Sequence, residues 1–590
     1  MAADKIHELI ARASGDLNAG RIDGARWALQ RLLAKDPRNA DGLHLSALIC
    51  ARERNFPQAV ELFRRAIASA PDVSRHHYNF AVLLMSIGQP DLAVAEYLRT
   101  IEIEPAHVSA HNNLGNALRA QGRLTEARHH LSEAIRLDPQ HAAAHSNLAT
   151  VLADLQKLED SVAESRAALS IDPQYWQAHS NLLLNLTAFE QFDAESLFRE
   201  HEQWGRQHAD RIAATIAPPP PRGRASGERV RIGYVSADFR AHSVAFFIDP
   251  VLAAHDRSKF EVTCYSSVQK PDAMTHVLSK RPEHWRDISQ LSDEHAAAMI
   301  REDRIDILID LGGHTAQSRL FLFARRPAPI QIEYLGYPGT SGMRQMDYLI
   351  TDARVAPPES ERFYSERIIR LPRTFFCYGP PDIAPQVDPP PAVRNGHVRF
   401  GVFTNPIKIR PPMMQNWAKI LREVPNSRLV IQSQSLQDEA HRRELHAALV
   451  NLGIDDSRIE LQGWADFREY LLLLQSVDVA LDTFPFNGHT TTCHALWMGV
   501  PAITLAGQTH ASRMGLSICE SIGLAELVAS SADDYVARAV ALANDPNRLA
   551  ELRAGMRQRL IDAGMIDRQR FTRELEAAYE SLLATSAEMI

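Results

Sequence analysis

A proline recurs every 34 residues along the first third of the chain, at Pro37, Pro71, Pro105, Pro139 and Pro173. A fixed period of this length confines the region to stacked copies of one small unit, because a single unit cannot bury an apolar face alone. Other positions keep the same phase: Asn79, Asn113, Asn147 and Asn181, and His77, His111, His145 and His179. Within one unit Leu114, Ala117 and Leu118 share a helical face, Gly122 breaks it, Ala127, Leu131, Ala134 and Ile135 mark a second helix, and Asp138-Pro139 ends it. Units fall at about 6–39, 40–73, 74–107, 108–141 and 142–175, with a partial sixth from 176. The first lacks the Asn and His, as an end cap does.

Paired helices with this period and a terminal proline are the tetratricopeptide signature. Stacked units curl into a superhelix with a concave groove. Asn79, Asn113, Asn147 and Asn181 lie near the start of each first helix and are expected to face that groove, where an amide's donor and acceptor suit an extended peptide backbone of any sequence. The alternative is that they only bond neighbouring helices. The histidine series is not expected to hold metal, since helices about 8–10 Å apart keep successive rings too distant for zinc bonds of about 2 Å.

Composition narrows the setting. At 590 residues the prior is about four domains. No apolar run reaches the roughly 18 residues of a membrane span, and Met1 to Glu8 lead straight into a charged amphipathic helix with no secretory leader. Cys50, Cys264, Cys377, Cys493 and Cys519 are too scattered for a disulfide framework or zinc ribbon and fit a reducing, cytoplasmic location. A net charge of -8 without a basic stripe argues against a nucleic-acid partner.

The repeat region is expected over 1–210, closed by a stiff proline-rich connector over 211–228 that contains Pro218, Pro219, Pro220 and Pro221. Beyond it strands are predicted at 230–236, 260–265 and 306–311, and, after a second proline cluster at 380–391, at 398–403, 427–432, 458–461, 477–482 and 501–505. Strands alternating with helices predict two parallel, doubly wound lobes, 229–390 and 391–590, with a cleft between the carboxyl ends of their sheets.

Neither a Gly-x-Gly-x-x-Gly dinucleotide cradle nor a Gly-Lys-Ser/Thr phosphate loop follows Val235 or Val402. The glycine-rich run from Gly336 to Gly342 comes late in its lobe and reads as a turn-rich loop lining the cleft. The strongest local feature is Asn487-Gly488-His489, a tight turn before a helix over 490–498 that stops at Gly499. Free N–H groups and the positive dipole end at His489, Thr490 and Thr491 make an anion site that fits a diphosphate. Ordinary N-capping by the threonines is the other reading.

With the repeats, the segments Asp238 to His242, Arg326 to Gln331, Leu335 to Gly342, Met346 to Tyr348, Asn405 to Ile409 and Asn487 to Thr491 resemble the protein O-linked N-acetylglucosamine transferases, glycosyltransferase family 41, across essentially the whole chain and in the same order. The resemblance implies an all-α tetratricopeptide superhelix followed by a GT-B region of two Rossmann-like lobes. It further implies a UDP-N-acetylglucosamine donor, no metal or other cofactor, and transfer with inversion to Ser or Thr hydroxyls of proteins held along the repeats. By the same resemblance Lys408 contacts the leaving diphosphate, and Asn405, Tyr470, His489, Thr490, Thr491 and His494 complete the UDP site. His242 takes the acceptor proton or holds acceptor and donor in line, while His314, Leu335 and Gly336 line the sugar pocket. Physically, departure of UDP without a metal calls for fixed positive groups at the diphosphate, and an imidazole of near-neutral pKa suits the proton transfer.

The chain departs from the animal enzymes of this family in several places. Only the proline-rich segment joins the lobes where they insert a large domain, so the chain is similar to a compact bacterial form. Tyr470 stands where they place a histidine against uracil, His494 where they place an aspartate for the ribose, and Thr404-Asn405 where they carry Asn-Gln. These exchanges predict an altered donor preference and keep two alternatives open: a same-fold transferase using UDP-glucose or a non-protein acceptor, and a scaffold whose lobes bind no nucleotide sugar. Oligomeric state is equally open, a homodimer through the convex face being one arrangement.

Overall fold

A computed structural model describes residues 2–216 and 227–588, so the centre of the expected connector, 217–226, lies outside the described residues. The chain divides into two compact units, Met1–Leu152 and Ala153–Ile590.

In the first unit helices alternate as pairs: Ala2–Asn18 with Ile22–Lys35, Ala40–Arg52 with Phe56–Ser69, Ser74–Ser86 with Pro90–Ile103, and Val108–Ala120 with Leu124–Leu137, before Ala142–Asp154. Ala47, Ala59, Ala81, Ala93, Ala117 and Ala127 are fully buried, small enough for neighbouring helices to approach closely. The shared phase of histidine and proline has a direct cause. Nε2–H of His77 donates to the Pro71 carbonyl (2.9 Å), that of His111 to Pro105 (3.1 Å) and that of His145 to Pro139 (3.2 Å). Each ring therefore fastens the turn that ends the preceding repeat to the first helix of its own.

The asparagine series has its own pattern. Asn79 Nδ2 donates to His44 Nε2 (2.8 Å), Asn113 Nδ2 to Tyr78 Oη (3.1 Å) and Asn147 Nδ2 to Asn112 Oδ1 (2.9 Å), in each case 35 residues back. Burial pushes the His44 pKa down to about 4, leaving a neutral ring able to accept. The half-buried amides thus tie successive first helices together, which is the alternative weighed against a peptide-binding role.

The second unit opens with Leu158–Ile171 and the pair Trp176–Leu186 and Ala194–Trp204, then a π-helical turn, Gly205–Ala209, and Asp210–Ala213. Here the lock changes partners: His179 Nδ1 meets His208 Nε2 at 3.1 Å, and Gln207 donates to the Pro173 carbonyl.

Two parallel sheets follow. The first contains β1 (Val230–Ser236), β2 (Phe260–Ser266), β3 (His284–Asp287), β4 (Ile307–Asp310), β5 (Ile330–Tyr334), β6 (Tyr348–Asp352) and β7 (Arg367–Leu371) in the order β3-β2-β1-β4-β5-β6-β7. The second contains β8 (Arg399–Phe403), β9 (Arg428–Gln432), β10 (Ile459–Gln462), β11 (Val479–Leu481), β12 (Ala502–Leu505) and β13 (Val528–Ala529) in the order β10-β9-β8-β11-β12-β13. Central strands such as β4, β5 and β12 are buried along their whole length, as a sheet covered on both faces requires. Strand order reverses between β1 and β4 and between β8 and β11, and loops leaving the carboxyl ends at such points are where doubly wound sheets bind ligands. The last helix, Arg568–Glu588, returns to the first lobe, where Glu576 Oε1 accepts from His255 Nδ1 (2.9 Å) and the Asp256 amide (2.8 Å). No helix among the described residues is long and apolar enough to cross a membrane.

Replacing His111 with Leu leaves the Pro105 carbonyl without its ring donor. The repeats are expected to lose about 1 kcal/mol, the net worth of one such bond. The check is the urea midpoint of helical circular dichroism, and an unmoved midpoint contradicts this role for the ring.

Candidate active site

Both switch points carry chemistry. At the end of β8, Asn405 Oδ1 accepts from the Ile407 amide (3.2 Å) and caps one 3₁₀ turn, Pro406–Lys408, that presents the lysine. Lys408 Nζ donates to the Asn487 carbonyl (2.8 Å) and stands 3.7 Å from the centre of the Phe486 ring. Burial lowers its pKa to about 8, with the charge of Asp482 acting in the other direction.

The loop after β11 is built around Asp482. Its buried carboxylate accepts from the amides of Gly488 (2.6 Å) and Thr483 (2.8 Å) and from Thr504 Oγ1 (2.7 Å). Burial raises its pKa to about 6 in spite of these bonds and of Lys408. A Cβ on Gly488 would sit 2.6 Å from Thr492 Oγ1 and 2.7 Å from Thr491 Oγ1, so only glycine lets the loop close over those hydroxyls. The helix Thr490–Trp497 then begins at His489 without a side-chain cap, so its first N–H groups and positive dipole end remain available to an anion. A cleft opens here, lined by Phe403, Thr404, Asp482, Thr491 and Thr492 among others.

Two neutral imidazoles border this region. His489 lies flat on Phe247 at 4.3 Å, and Phe247 belongs to the first-lobe helix Ala245–Ala254, so the stack joins the two lobes. Burial and then the charge of Lys408 push the His489 pKa down to about 3. His494 meets the hydroxyl of half-buried Tyr470 through Nδ1 (3.4 Å) and packs on Phe246 and Phe467, and burial holds its pKa near 3 as well. Nε2 of each ring is buried without a hydrogen-bond partner among the described residues. The second lobe thus gathers Asn405, Lys408, Tyr470, His489, Thr490, Thr491 and His494 on the loops and helices beyond its strand ends.

On the first lobe, His242 follows β1 with Nδ1 3.6 Å from Asp238 Oδ2, while the Val244 amide approaches the same nitrogen at 3.4 Å. Burial lowers the His242 pKa, the Asp238 charge raises it and Arg240 lowers it again. Leu335 adopts φ +75°, a left-handed backbone that is strained for leucine. A Cβ on Gly336 would fall 1.9 Å from the Leu311 carbonyl, so this loop presses on the end of β4 where no side chain fits. His314 is placed differently. Its Nδ1 pairs with Ser180 Oγ (3.2 Å), its Nε2 donates to the Ser341 carbonyl (2.8 Å), and His201, Trp204 and Tyr337 surround the ring. One nitrogen is engaged by the last repeat-type helices and the other by the lobe's own loop at Ser341, which leaves none for a sugar.

Sequence reasoning passed over Asp482 and Asp238. The only local signals were an acidic residue closing a predicted strand and an aspartate four residues before His242. Among the described residues no three His, Cys, Asp or Glu side chains converge as a metal ion would require.

Two Rossmann-order sheets whose lobes meet where His489 stacks on Phe247, with a cation at an uncapped helix start, define the class: a GT-B glycosyltransferase fold preceded by helical repeats. Glycosyl transferase family 41 is matched over residues 216–383 and 392–575, and tetratricopeptide-repeat families over 10–74, 78–129 and 115–156. The chain belongs to glycosyltransferase family 41. Over 405 residues it is 39% identical to a probable UDP-N-acetylglucosamine–peptide N-acetylglucosaminyltransferase SPINDLY of Hordeum vulgare, covering 68% of this chain and 43% of that protein. Over 391 residues it is 33% identical to the corresponding protein SEC of Arabidopsis thaliana, covering 63% and 40%. It thus spans less than half the length of these curated relatives. A solved structure of a mutant O-GlcNAc transferase from Thermobaculum terrenum superposes with a TM-score of 0.82 at 35% identity, covering 88% of this chain and 98% of that one.

The lowered pKa of Lys408 has a sign that can be checked. The amine is charged below pH about 8 and neutral above it, so diphosphate affinity is expected to hold at lower pH and to fall as pH rises through that value. Near pH 8.5 binding should take up a proton. Calorimetry of UDP in buffers of different ionisation enthalpy measures this uptake, and a pH-independent affinity contradicts it.

Proposed function

We propose that the chain moves N-acetylglucosamine from UDP-N-acetylglucosamine to Ser or Thr hydroxyls of proteins, with inversion at the anomeric carbon and without a metal ion. One observation carries the reading. Lys408 is fixed beside the uncapped start of the helix Thr490–Trp497 by a neutral carbonyl, while the nearby acid, Asp482, is occupied by amides and a hydroxyl. A cation so placed meets the charge that grows on departing UDP, which is what a bound divalent ion would otherwise do. The names of the relatives support the donor and the protein acceptor.

In this reading the acceptor hydroxyl attacks the sugar from the side opposite UDP, the bond to the diphosphate breaks, and the hydroxyl proton passes to His242. Asp238, 3.6 Å from Nδ1, favours the charged ring that results. Asn405 holds the lysine turn, His489, Thr490 and Thr491 bind phosphate oxygens, Tyr470 and His494 flank the nucleoside, and Leu335 and Gly336 face the sugar. Extended acceptors lie along Asn79, Asn113, Asn147 and Asn181. The chain divides for these tasks into repeats up to 210, a first lobe over 229–390 and a second over 391–590.

His494 and Tyr470 favour a second reading, a scaffold whose lobes bind nucleotide sugar poorly or not at all. The neutral pair provides no acceptor-only group at the nucleoside.

Lys408→Met is expected to lower turnover by roughly 10²–10³-fold, the size typical of losing one charge-stabilising group, while circular dichroism stays unchanged. Full activity in that variant rejects the assignment. Activity is also expected to survive exhaustive chelation, and a strict requirement for Mg²⁺ or Mn²⁺ is the contrary result.

A further inference from the structure

The turn that presents Lys408 is anchored outside its own lobe. Ile407 is buried in a cluster with Leu158, Leu182, Leu186 and Phe189, side chains of the last repeat-type helices and the segment after them. On the other side of the lysine, buried Arg410 forms a two-pronged pair with Glu159, Nη2 to Oε1 at 2.5 Å and Nη1 to Oε2 at 3.3 Å. Its guanidinium also lies 4.7 Å from the centre of the Phe189 ring. Phe486, the ring beneath the lysine ammonium, packs against the same cluster. Glu159 sits in the first turn of Leu158–Ile171, and its pKa is lowered chiefly by the hydrogen bond to Arg410.

Both flanks of the lysine and the aromatic floor under it therefore rest on helices of the repeat type. A planar fork paired with a carboxylate and stacked on a ring fixes direction as well as distance. An ammonium aimed at a leaving group gains most from such support, because a displacement of about 1 Å costs on the order of 10²-fold in rate.

We propose that Glu159, Phe189 and Arg410 are positioning residues for the sugar-donor step, so that the last repeat-type helices set the place of Lys408 as well as meeting the acceptor. The proposal rests on the reading of Lys408 as the diphosphate-facing cation. It makes the repeats a working part of the donor site, and it predicts that damage at their carboxyl end is felt even when no protein acceptor is present.

The test uses the full chain, UDP-N-acetylglucosamine and water as the only acceptor. Glu159→Arg and Arg410→Glu, made singly, are each expected to slow donor hydrolysis by about 10-fold and to weaken UDP by a similar factor. The two together restore an opposite-charge pair and should recover most of both losses, whereas a purely structural role would lower the melting temperature and leave hydrolysis per folded molecule intact. Phe189→Tyr, which keeps the ring, is expected to retain activity, and Phe189→Ala to lose it in step with the single charge variants. Normal hydrolysis and UDP affinity in the single variants, or a double variant no better than either, overturns the proposal. Lys408→Met is measured beside them. If it loses UDP while the singles do not, only the positioning role fails; if it too keeps full affinity, the reading of Lys408 fails and the positioning role with it.

Discussion

An ammonium group bonded to a neutral carbonyl, in place of a carboxylate, is the interaction on which this site depends. Taking a cation out of water is costly unless a partner charge is supplied, and Lys408 shows the strain as a depressed pKa. Asp482 is near enough to be felt, yet its oxygens are taken by Gly488, Thr483 and Thr504. The positive charge is thus held in place without being cancelled. Everything around it follows from that requirement: the glycine that lets the loop close, the helix left without a cap, and the neutral histidines that add no competing charge.

The helical half of the fold was readable from residues because its contacts are local. His111 reaches Pro105 and Asn113 reaches Tyr78, separations of 6 and 35 residues that recur with the period, so the pattern on paper and the bonds in space coincide. The purpose of the asparagines was harder to read, since facing a groove and bonding a neighbouring helix place the same demands on spacing. In the lobes, buried strands such as β1, β2 and β8 stood out as apolar runs. β3 did not, because His284-Trp285-Arg286-Asp287 is a charged, mostly exposed edge strand, nor did the two-residue β13 or the arginine-bordered β7. β6 was overlooked although it is buried throughout.

The candidate site divides along the same line. Lys408, His489 and Thr490 were found through short motifs, and the structure gathers them on the second lobe near the cleft. His314 followed from its glycine-rich setting at a strand end, but its ring turns to Ser180 and Ser341, partners that no spacing announces. Arg410 and Glu159 lie 251 positions apart, and nothing local to either implies the other. Long-range pairs of this kind are specified by the tertiary fold alone, and the parts of the site that depend on them were invisible until the chain was folded.

The histidine-to-proline bond in the repeats reaches beyond any single unit. Because each fastening joins the histidine of one unit to the proline near the end of the unit before, and every early unit ends on such a proline, adding or removing a whole unit among the early ones still leaves each ring a carbonyl to hold. The final pair lacks that independence, since Pro173 and His179 have taken partners in the segment leading to the sheets. Growth or trimming of the array is therefore modular from its amino-terminal side, while the junction with the lobes tolerates neither.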